Sequence, residues 1–522
     1  MQRFFNTAGP CNPVDHYTLR PERRLPDLGN LIERKLYFVV HAPRQSGKTT
    51  CFESLAQDLT AEGRFAALLA TCETAQTAGG DVERGIGAVL QAIDQRAVQL
   101  PADLRPEPLA GFSSVAAEGR LAAWLSAWCL RSPRPVVLFL DEIDALRDES
   151  LLSVLRQLRA GYATRPGRFP QSVGLIGLRD VRDYRVRVRT DAESLGTSSP
   201  FNVKVRSLTL ANFTREQVAE LYGQHTAETG QAFTPEAAGL AWELTRGQPW
   251  LVNALAAEIV DELVPDRAVP IEPRHVDRAK EILIERRDTH LDSLIDRLRE
   301  PRVRRILEPI LAGELLSPDV LDDDVQLVKD LGLVAPGSAG LEIANPIYRE
   351  VIPRALAWVV QESLPVPRAP FIAPDGTLRI EALLDGFTAF WCQHAEFFLE
   401  RQPYSEAAAQ LVFMAFLQRV VNGGGFIDRE YGVGRGRIDL CVRWPHPGGL
   451  QRWAAELKVW RDGRPDPLPE GLDQLAGYLT RLGLDRGALI LFDGRKSAPP
   501  IVERCTRMEV EREGRRIEVV RL

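Results

Sequence analysis

Eight consecutive residues near the start of the chain, Ala42-Pro43-Arg44-Gln45-Ser46-Gly47-Lys48-Thr49, end in a Gly-Lys-Thr triplet. A β-branched and aromatic run, Tyr37-Phe38-Val39-Val40-His41, precedes them, and a helical stretch from Thr50 to Leu59 follows. Strand, loop and helix with this triplet at the junction make a phosphate cradle, because successive backbone N–H groups at a helix N-terminus converge on an anion. Gly47 allows close backbone approach, Lys48 brings a positive charge to the β- and γ-phosphates, and the Thr49 hydroxyl completes the coordination of Mg²⁺. Ala42 stands where such loops usually begin with Gly. A second segment, Val136-Val137-Leu138-Phe139-Leu140-Asp141-Glu142, is an apolar strand ending in two acids. Asp141 is expected to hold Mg²⁺ through water, and Glu142 to polarise the attacking water. A third apolar run, Ser172 to Leu178, leads into Arg179, where a polar strand tip could sense the γ-phosphate.

A different chemistry is written near the other end. Trp453 to Trp460 reads as a strand in which Glu456 and Lys458, two apart, project from one face while Leu457 faces away. Asp439 lies near the start of the preceding strand, and antiparallel pairing can bring it beside Glu456. Two carboxylates and a lysine on one sheet face suit metal-dependent phosphodiester hydrolysis. Asp439, Glu456 and the Leu457 carbonyl would hold Mg²⁺ or Mn²⁺, and Lys458 would orient or deprotonate the metal-bound water. Gln474 and Tyr478 are i and i+4 on a predicted helix that follows. Arg429, Arg435, Arg437, Arg443, Arg452, Arg461 and Arg464 flank this set and suit phosphate contact.

These residues need elements to hold them. The chain has 522 residues, 45% hydrophobic and 26% charged, a soluble multidomain profile. Its net charge of −6 divides into +3 from Tyr404 to Leu522 and −9 elsewhere, which favours the C-terminal part as a nucleic-acid contact. No apolar stretch approaches a membrane span, and the opening hexapeptide lacks the apolar core of a secretory signal, so the expected location is the cytoplasm. Seven cysteines without a C-x-x-C pair argue against a disulfide framework and a structural zinc site, and read as small buried hydrophobes. The seven histidines show no H-x-x-x-H pattern, and no G-x-S-x-G elbow is present.

The predicted fold is multidomain α/β. A lead-in (1–35) precedes an α/β core with a parallel sheet (36–205) and a helical segment (206–289), with helix starts at Thr214 and Thr234. Helix, helix and hairpin over 290–358 is the order of a winged helix. The acids Asp322 to Asp324 there would repel phosphates and favour a packing or regulatory role. A proline-containing linker (359–379) leads to a last α/β domain (380–522). The aromatic pairs Phe390-Trp391 and Phe397-Phe398 recur at helical spacing and read as packing residues.

The phosphate loop, the Asp-Glu pair, the strand-tip arginine and the Gly247-Gln248-Pro249 motif in a helical lid before a winged helix resemble the STAND branch of AAA+-related P-loop ATPases. The opening Phe5-Asn6-Thr7-Ala8-Gly9-Pro10 and His16-Tyr17 are similar to bacterial and archaeal AAA-ATPase-like proteins. The resemblance covers residues 1 to about 358. It implies a nucleotide-gated, oligomerising switch, with Arg179 in the sensor position and Pro249 near the base. Asp439, Glu456-Leu457-Lys458 and Gln474-x-x-x-Tyr478 resemble the PD-(D/E)XK nuclease superfamily, most nearly its RecB-type branch, with Ile438 where the motif's leading Pro stands. That resemblance covers about 380–522 and implies Glu406 as a helix-borne acid and a restriction-endonuclease-like fold.

The sequence therefore predicts an ATP-regulated, Mg²⁺- or Mn²⁺-dependent DNA nuclease, with an unknown trigger and, by analogy of architecture, a role in prokaryotic antiphage defence. Two other readings stand beside it. One is an ATP-dependent switch or scaffold whose nuclease-like domain only binds nucleic acid or a partner. The other is a DNA repair or mobile-element nuclease with the same chemistry.

Overall fold

The computed structural model describes residues 3–20, 23–178, 204–286, 296–311, 316–317, 322–337, 340–363, 371–401, 408–421, 425–433, 436–495 and 497–522. The first elements in chain order are α1 (Leu28–Glu33), β1 (Tyr37–His41), α2 (Lys48–Ala61), β2 (Ala66–Thr71), α3 (Val82–Ala97) and α4 (Ala117–Arg131). Next come β3 (Val136–Asp141), α5 (Asp148–Ala160), β4 (Ser172–Gly177), β5 (Lys204–Thr209), α6 (Arg215–Thr229), α7 (Pro235–Thr245), α8 (Pro249–Ala257) and α9 (Pro273–Arg286). The middle of the chain holds α10 (Pro301–Leu311), α11 (Asp323–Asp330), the short strands β6 (Val334–Pro336) and β7 (Leu341–Ile343), and α12 (Pro346–Ser363). The last part holds α13 (Ile380–Arg401), α14 (Ala408–Val421), β8 (Phe426–Val433), β9 (Gly436–His446) and β10 (Gly449–Trp460). It ends with α15 (Leu468–Leu482), β11 (Arg486–Asp493), α16 (Ile501–Arg504), β12 (Thr506–Arg512) and β13 (Arg515–Arg521).

The chain divides into two compact units, one of residues 1–286 and 321–334, the other of 287–320 and 335–522. The first is built on a five-stranded parallel sheet in the order β2-β3-β4-β1-β5. β1 to β4 are buried along nearly their whole length on both faces, as a parallel sheet covered on both sides requires, while the edge strand β5 exposes Arg206 and Thr209. In β1, Tyr37 and Val39 join the layer formed with α3, α4 and α5, where Trp124 and Trp128 are fully buried. Phe38 and Val40 point the other way, into the layer formed with α1 and α2. Gly174 in β4 is required by that packing, because a Cβ there would lie 2.8 Å from both the Phe38 and Phe139 rings. The two predicted helix starts are caps: Thr214 accepts from the Gln217 N–H in a capping box, and Thr234 from the Ala237 N–H with Pro235 at the first helical position.

The second unit is built on a six-stranded mixed sheet in the order β12-β13-β11-β10-β9-β8. β10, β11 and β13 run parallel, and β8, β9 and β12 are antiparallel to their neighbours. α13 and α14 cover one face, with Phe387, Trp391, Phe413 and Phe416 packed on Trp453, Ala455 and Leu457. α15 covers the other, with Leu472, Leu475 and Leu479 packed on Ala454 and Leu489. Phe390 and Trp391 are therefore core residues, while the side chains of Phe397 and Phe398 lie outside the described residues. α12 runs to Ser363, five residues into the expected linker.

The cysteine expectation needs correction. Cys51, Cys72, Cys129 and Cys441 are buried hydrophobes, but Cys11 is only partly buried. Cys392 on α13 and Cys505 after α16 are joined as a disulfide, with Cα atoms 6.7 Å apart. The spacing of 113 residues hid the pair, which only the docking of α16 against α13 brings together. Among the described residues no helix is long and apolar enough to cross a membrane.

Candidate functional sites

The first site lies where β1 ends. Gln45 and Gly47 both adopt left-handed backbone conformations, with φ of 55° and 80°, and turn the chain sharply into α2. Lys48 and Thr49 open the helix and Thr50 follows on its first turn. β3 is separated from β1 by β4 alone, so its terminal acid reaches the loop. Thr49 Oγ1 donates to Asp141 Oδ2 at 2.6 Å, and the Glu142 N–H donates to Asp141 Oδ1 at 2.9 Å. Lys48 Nζ donates to the loop's own carbonyls, Ala42 at 2.7 Å and Pro43 at 2.8 Å.

The electrostatics follow from burial. Desolvation holds the Lys48 ammonium below its ordinary value, opposed by the carboxylates of Asp141, Asp144 and Glu142. Desolvation likewise raises the Asp141 carboxyl, against the hydrogen bonds from Thr49 and the Glu142 N–H. Glu142, with φ of 50° at the strand tip, is raised by desolvation and then by its neighbours Glu73, Asp141 and Asp144. Lys48 and Arg44 beside clustered acids make a site of high charge density that a phosphate and a divalent ion together would complement.

The donor set fits that pair. Thr49 and Asp141 are hard oxygen donors of the kind Mg²⁺ takes. Ser46 is buried, and its hydroxyl has no hydrogen-bond partner among the described residues. Arg44 and Gln45 complete the rim of the cradle. Arg179, two positions after the last residue of β4 in the sequence, lies outside the described residues.

Three features of this site escaped the sequence reading. Arg24, in the lead-in, places Nη1 2.8 Å from the Ser46 carbonyl and Nη2 2.6 Å from that of Ala211, with its guanidinium 4.9 Å from the Phe213 ring centroid. Burial pushes its pKa down to about 10. Gln248 caps α8 through the Leu251 N–H, and its Nε2 is 3.5 Å from the Gln45 carbonyl. Pro249 is the buried first residue of α8, one residue past this contact. The lead-in itself is tied down at both sides: the Cys11 N–H donates to Thr50 Oγ1 at 2.9 Å, and Trp250 Nε1 donates to the Thr7 carbonyl at 2.8 Å. Gln248 was within reach of the sequence, since it sits inside the Gly-x-Pro motif. Arg24 was not, because nothing in its spacing sets it apart from its arginine neighbours.

The second site lies on β10. Ala454 packs under α15, so Glu456 and Lys458, two and four residues on, share the α15 face. Glu456 is buried, and Lys458 Nζ is 3.1 Å from its Oε1. Lys458 Nζ also donates to Gln474 Oε1 at 2.7 Å, and Gln474 Nε2 to Glu470 Oε1 at 3.0 Å. Glu470, one helical turn before Gln474, was not anticipated. Tyr478 packs partly buried against the apolar layer under α15, with the Arg481 guanidinium 6.0 Å from its ring centroid. Leu457 faces the α13–α14 core.

The antiparallel ladder of β9 and β10 runs from His446↔Gly449 to Leu440↔Ala455. The ladder ends one residue short of Asp439 on β9 and of Glu456 on β10. The Asp439 side chain lies outside the described residues, as do Glu406 and the side chains of Arg429, Arg435 and Arg437. Of the other flanking arginines, Arg452 and Arg464 are exposed and Arg443 and Arg461 partly buried. Among the described residues no three His, Cys, Asp or Glu side chains gather as a metal-binding group. Glu456 and the Leu457 carbonyl are oxygen donors that suit a hard cation, with Asp439 needed to complete the set.

No family model matches the chain, and no curated protein matches it. Among solved structures it is similar to the Walker-type ATPase PABY2304 of Pyrococcus abyssi, at 15% identity over 67% of this chain and 99% of that one, with a TM-score of 0.47. The Thermotoga maritima RuvB Holliday junction branch migration motor is 15% identical over 63% of this chain and 92% of its own, with a TM-score of 0.35. Cdc6p from Pyrobaculum aerophilum is 12% identical over 67% of this chain and 97% of its own, with a TM-score of 0.36.

Proposed function

We propose that the chain is an ATP-hydrolysing switch of the STAND type that controls a metal-dependent PD-(D/E)XK nuclease acting on DNA. The observation that carries the nucleotide half is the 2.6 Å contact between Thr49 and the strand-end acid Asp141, beside Lys48 at the head of α2. The loop backbone and Lys48 would bind the β- and γ-phosphates. Bound Mg²⁺ supplies charge neutralisation on the transferring phosphoryl group, and Thr49 and Asp141 are the residues that would hold it. Glu142, at the exposed strand tip, would orient the attacking water, and its raised pKa makes it a better base than an ordinary carboxylate.

The nuclease half is supported by Glu456, Lys458 and Gln474 meeting on one face, with the β9 register running toward Asp439. Asp439, Glu456 and the Leu457 carbonyl would hold Mg²⁺ or Mn²⁺, which lowers the pKa of a bound water. Gln474 holds Lys458 in place to orient that water. Self-assembly, a regulatory winged helix and an antiphage role belong to the same proposal. An unrestrained nuclease would be toxic, so a nucleotide-operated restraint in the same chain has a purpose.

The test is cleavage of plasmid and single-stranded DNA with Mg²⁺ or Mn²⁺, with and without ATP, by the wild type, Lys48→Ala and Lys458→Ala. Cleavage abolished in Lys458→Ala and altered by ATP or in Lys48→Ala supports the proposal. Cleavage that survives Lys458→Ala refutes the nuclease assignment. ATP turnover with DNA binding that is insensitive to Lys458→Ala, and no cleavage with either metal, favours the binding scaffold.

A further inference from the structure

The second unit contains a cavity of about 610 Å³ that neither site uses. It lies where β10, β11 and β13 meet the first turn of α13. Its lining includes Arg452 of β10, and Arg452 precedes Lys458 by six residues, which at ~3.3 Å per residue is about 20 Å along the strand. Four guanidinium groups line it: Arg379, Arg452, Arg486 and Arg516.

All four are exposed, and the carboxylates of the lining match their charges only in part. Arg486 and Arg516 are register partners on adjacent parallel strands, so two like charges stand side by side. Among the described residues the ion pair of Arg486 is with the exposed Glu381, at 3.5 Å. Arg379, Arg452 and Arg516 make no ion pair among the described residues, although Arg516 is also the register partner of Glu511. The carboxylates in the same wall are already engaged in part, since Asp485 pairs with Arg515 and Glu518 with Arg507. Glu509 makes no ion pair among the described residues and lines the cavity as a hydrogen-bond acceptor.

We propose that this cavity binds a nucleoside phosphate, with Arg379, Arg486 and Arg516 on the phosphate and Glu509 accepting from the sugar or base. The volume falls within the range of small-molecule sites. Guanidinium forks match phosphate oxygens bidentately. A carboxylate in the same wall disfavours a ligand that is anionic throughout, such as inorganic phosphate or a nucleic-acid backbone, and suits one carrying hydroxyl or amino donors at its other end. Such a ligand would bridge α13 to the strand that carries Glu456 and Lys458. The proposal is independent of the phosphate loop and of the nuclease assignment.

The test is equilibrium binding of radiolabelled nucleoside mono- and diphosphates to the full chain carrying Lys48→Ala, which weakens binding at the phosphate loop. Inorganic phosphate and a single-stranded oligonucleotide serve as competitors. The expected result is saturable nucleotide binding that Arg379→Gln with Arg516→Gln weakens at least roughly tenfold, about 1.4 kcal/mol. Glu509→Gln should weaken nucleotide binding and leave phosphate competition unchanged. Both arginines are exposed, and circular dichroism checks that the double variant is folded. Three results overturn the proposal: no saturable binding at about 1 mM nucleotide, the weak end of specific affinity; binding unchanged in the double arginine variant; or oligonucleotide competing through the same arginines more tightly than any mononucleotide, which makes the surface a nucleic-acid contact.

Discussion

Replacing Gly247 by alanine should cost the first unit far more than one methyl group. Gly247 has φ of 70°, and a Cβ there would lie 1.9 Å from the Phe213 carbonyl oxygen. The two backbones are this close because the Phe213 N–H donates to the Gly247 carbonyl at 2.8 Å, while Trp242 Nε1 holds the Phe213 carbonyl at 3.1 Å. The left-handed conformation alone costs a non-glycine residue about 1–2 kcal/mol. Relieving the clash moves the backbones apart and abandons a buried hydrogen bond, about 1–3 kcal/mol more. The expected loss is about 2–5 kcal/mol, the upper end of which is large for one substitution. Gly230 is the control. Its φ is 78°, but a Cβ there meets nothing within 4 Å, so Gly230→Ala should cost only the conformational part. The damage should also reach the phosphate loop, because the Phe213 ring lies against the Arg24 guanidinium that holds the Ser46 carbonyl. Urea titration with hydrogen exchange of the α8 amides measures the stability loss, and a fluorescent ATP analogue measures binding. Gly247→Ala within about 1 kcal/mol of Gly230→Ala, with unchanged nucleotide affinity, would refute the coupling.

Three further outcomes are expected. Thr49→Val removes the hydroxyl bonded to Asp141 and should lower Mg²⁺-dependent ATP hydrolysis roughly 100-fold, about 2.7 kcal/mol, with metal-free nucleotide binding little changed; undiminished turnover in a phosphate-release assay would contradict it. Burial raises the folded-state pKa of Asp141, so the ionised carboxylate is a cost at neutral pH, and native stability rises as pH falls through the raised folded value toward the unfolded one. Calorimetry without Mg²⁺ should therefore find Asp141→Asn melting above the wild type at pH 7, with the gap closing on acidification, and a lower melting point at pH 7 would count against the burial argument. Gln474→Ala releases Lys458 and should cut kcat for DNA cleavage roughly tenfold, about 1.4 kcal/mol, with little effect on KM, while Gln474→Glu, which keeps an acceptor for Nζ, restores most of it; equal loss in both variants would deny the positioning role.

The parts of the fold that were legible are those where period and terminus agree. β1 and β3 are short apolar runs, rich in β-branched and aromatic residues, that end in chemistry, and their length and composition mark them as strands buried on both faces. The caps at Thr214 and Thr234 are local signals read from a few residues. The face shared by Glu456 and Lys458 followed from the two-residue period of a strand. Contacts between distant segments were not legible, because no local pattern encodes them. Arg24 meets residues 22 and 187 positions away, Thr7 meets Trp250 across 243, and Cys392 meets Cys505 across 113. Each depends on how whole elements dock. The lead-in shows this most clearly: its composition is that of a loop, yet Phe5 and Tyr17 are buried and pack against Tyr222 and His225 of α6.

That docking constrains how nucleotide could act on the helical segment. Three hydrogen bonds near the nucleotide site join the phosphate loop and lead-in to the segment from β5 to α8: Arg24 to the Ala211 carbonyl, Gln248 to the Gln45 carbonyl, and Trp250 to the Thr7 carbonyl, and others tie Arg3, Thr18 and Arg23 to α6. A rotation of α6–α9 away from the sheet would break all of them. At about 0.5–3 kcal/mol each, the bond from the charged Arg24 being the strongest, these three contribute a few kcal/mol to the arrangement. Effectors commonly shift an equilibrium by about 1–3 kcal/mol, so a ligand must weaken these bonds as well as form its own. Arg24 and Gln248 are placed for that, since each contacts a carbonyl of the loop that phosphate would reshape. A γ-phosphate that drew Lys48 off the Ala42 and Pro43 carbonyls would shift the start of the same loop, two to four residues before the Gln45 and Ser46 carbonyls, and the loop's response would reach α8 through Gln248 without any contact between the nucleotide and the helix body.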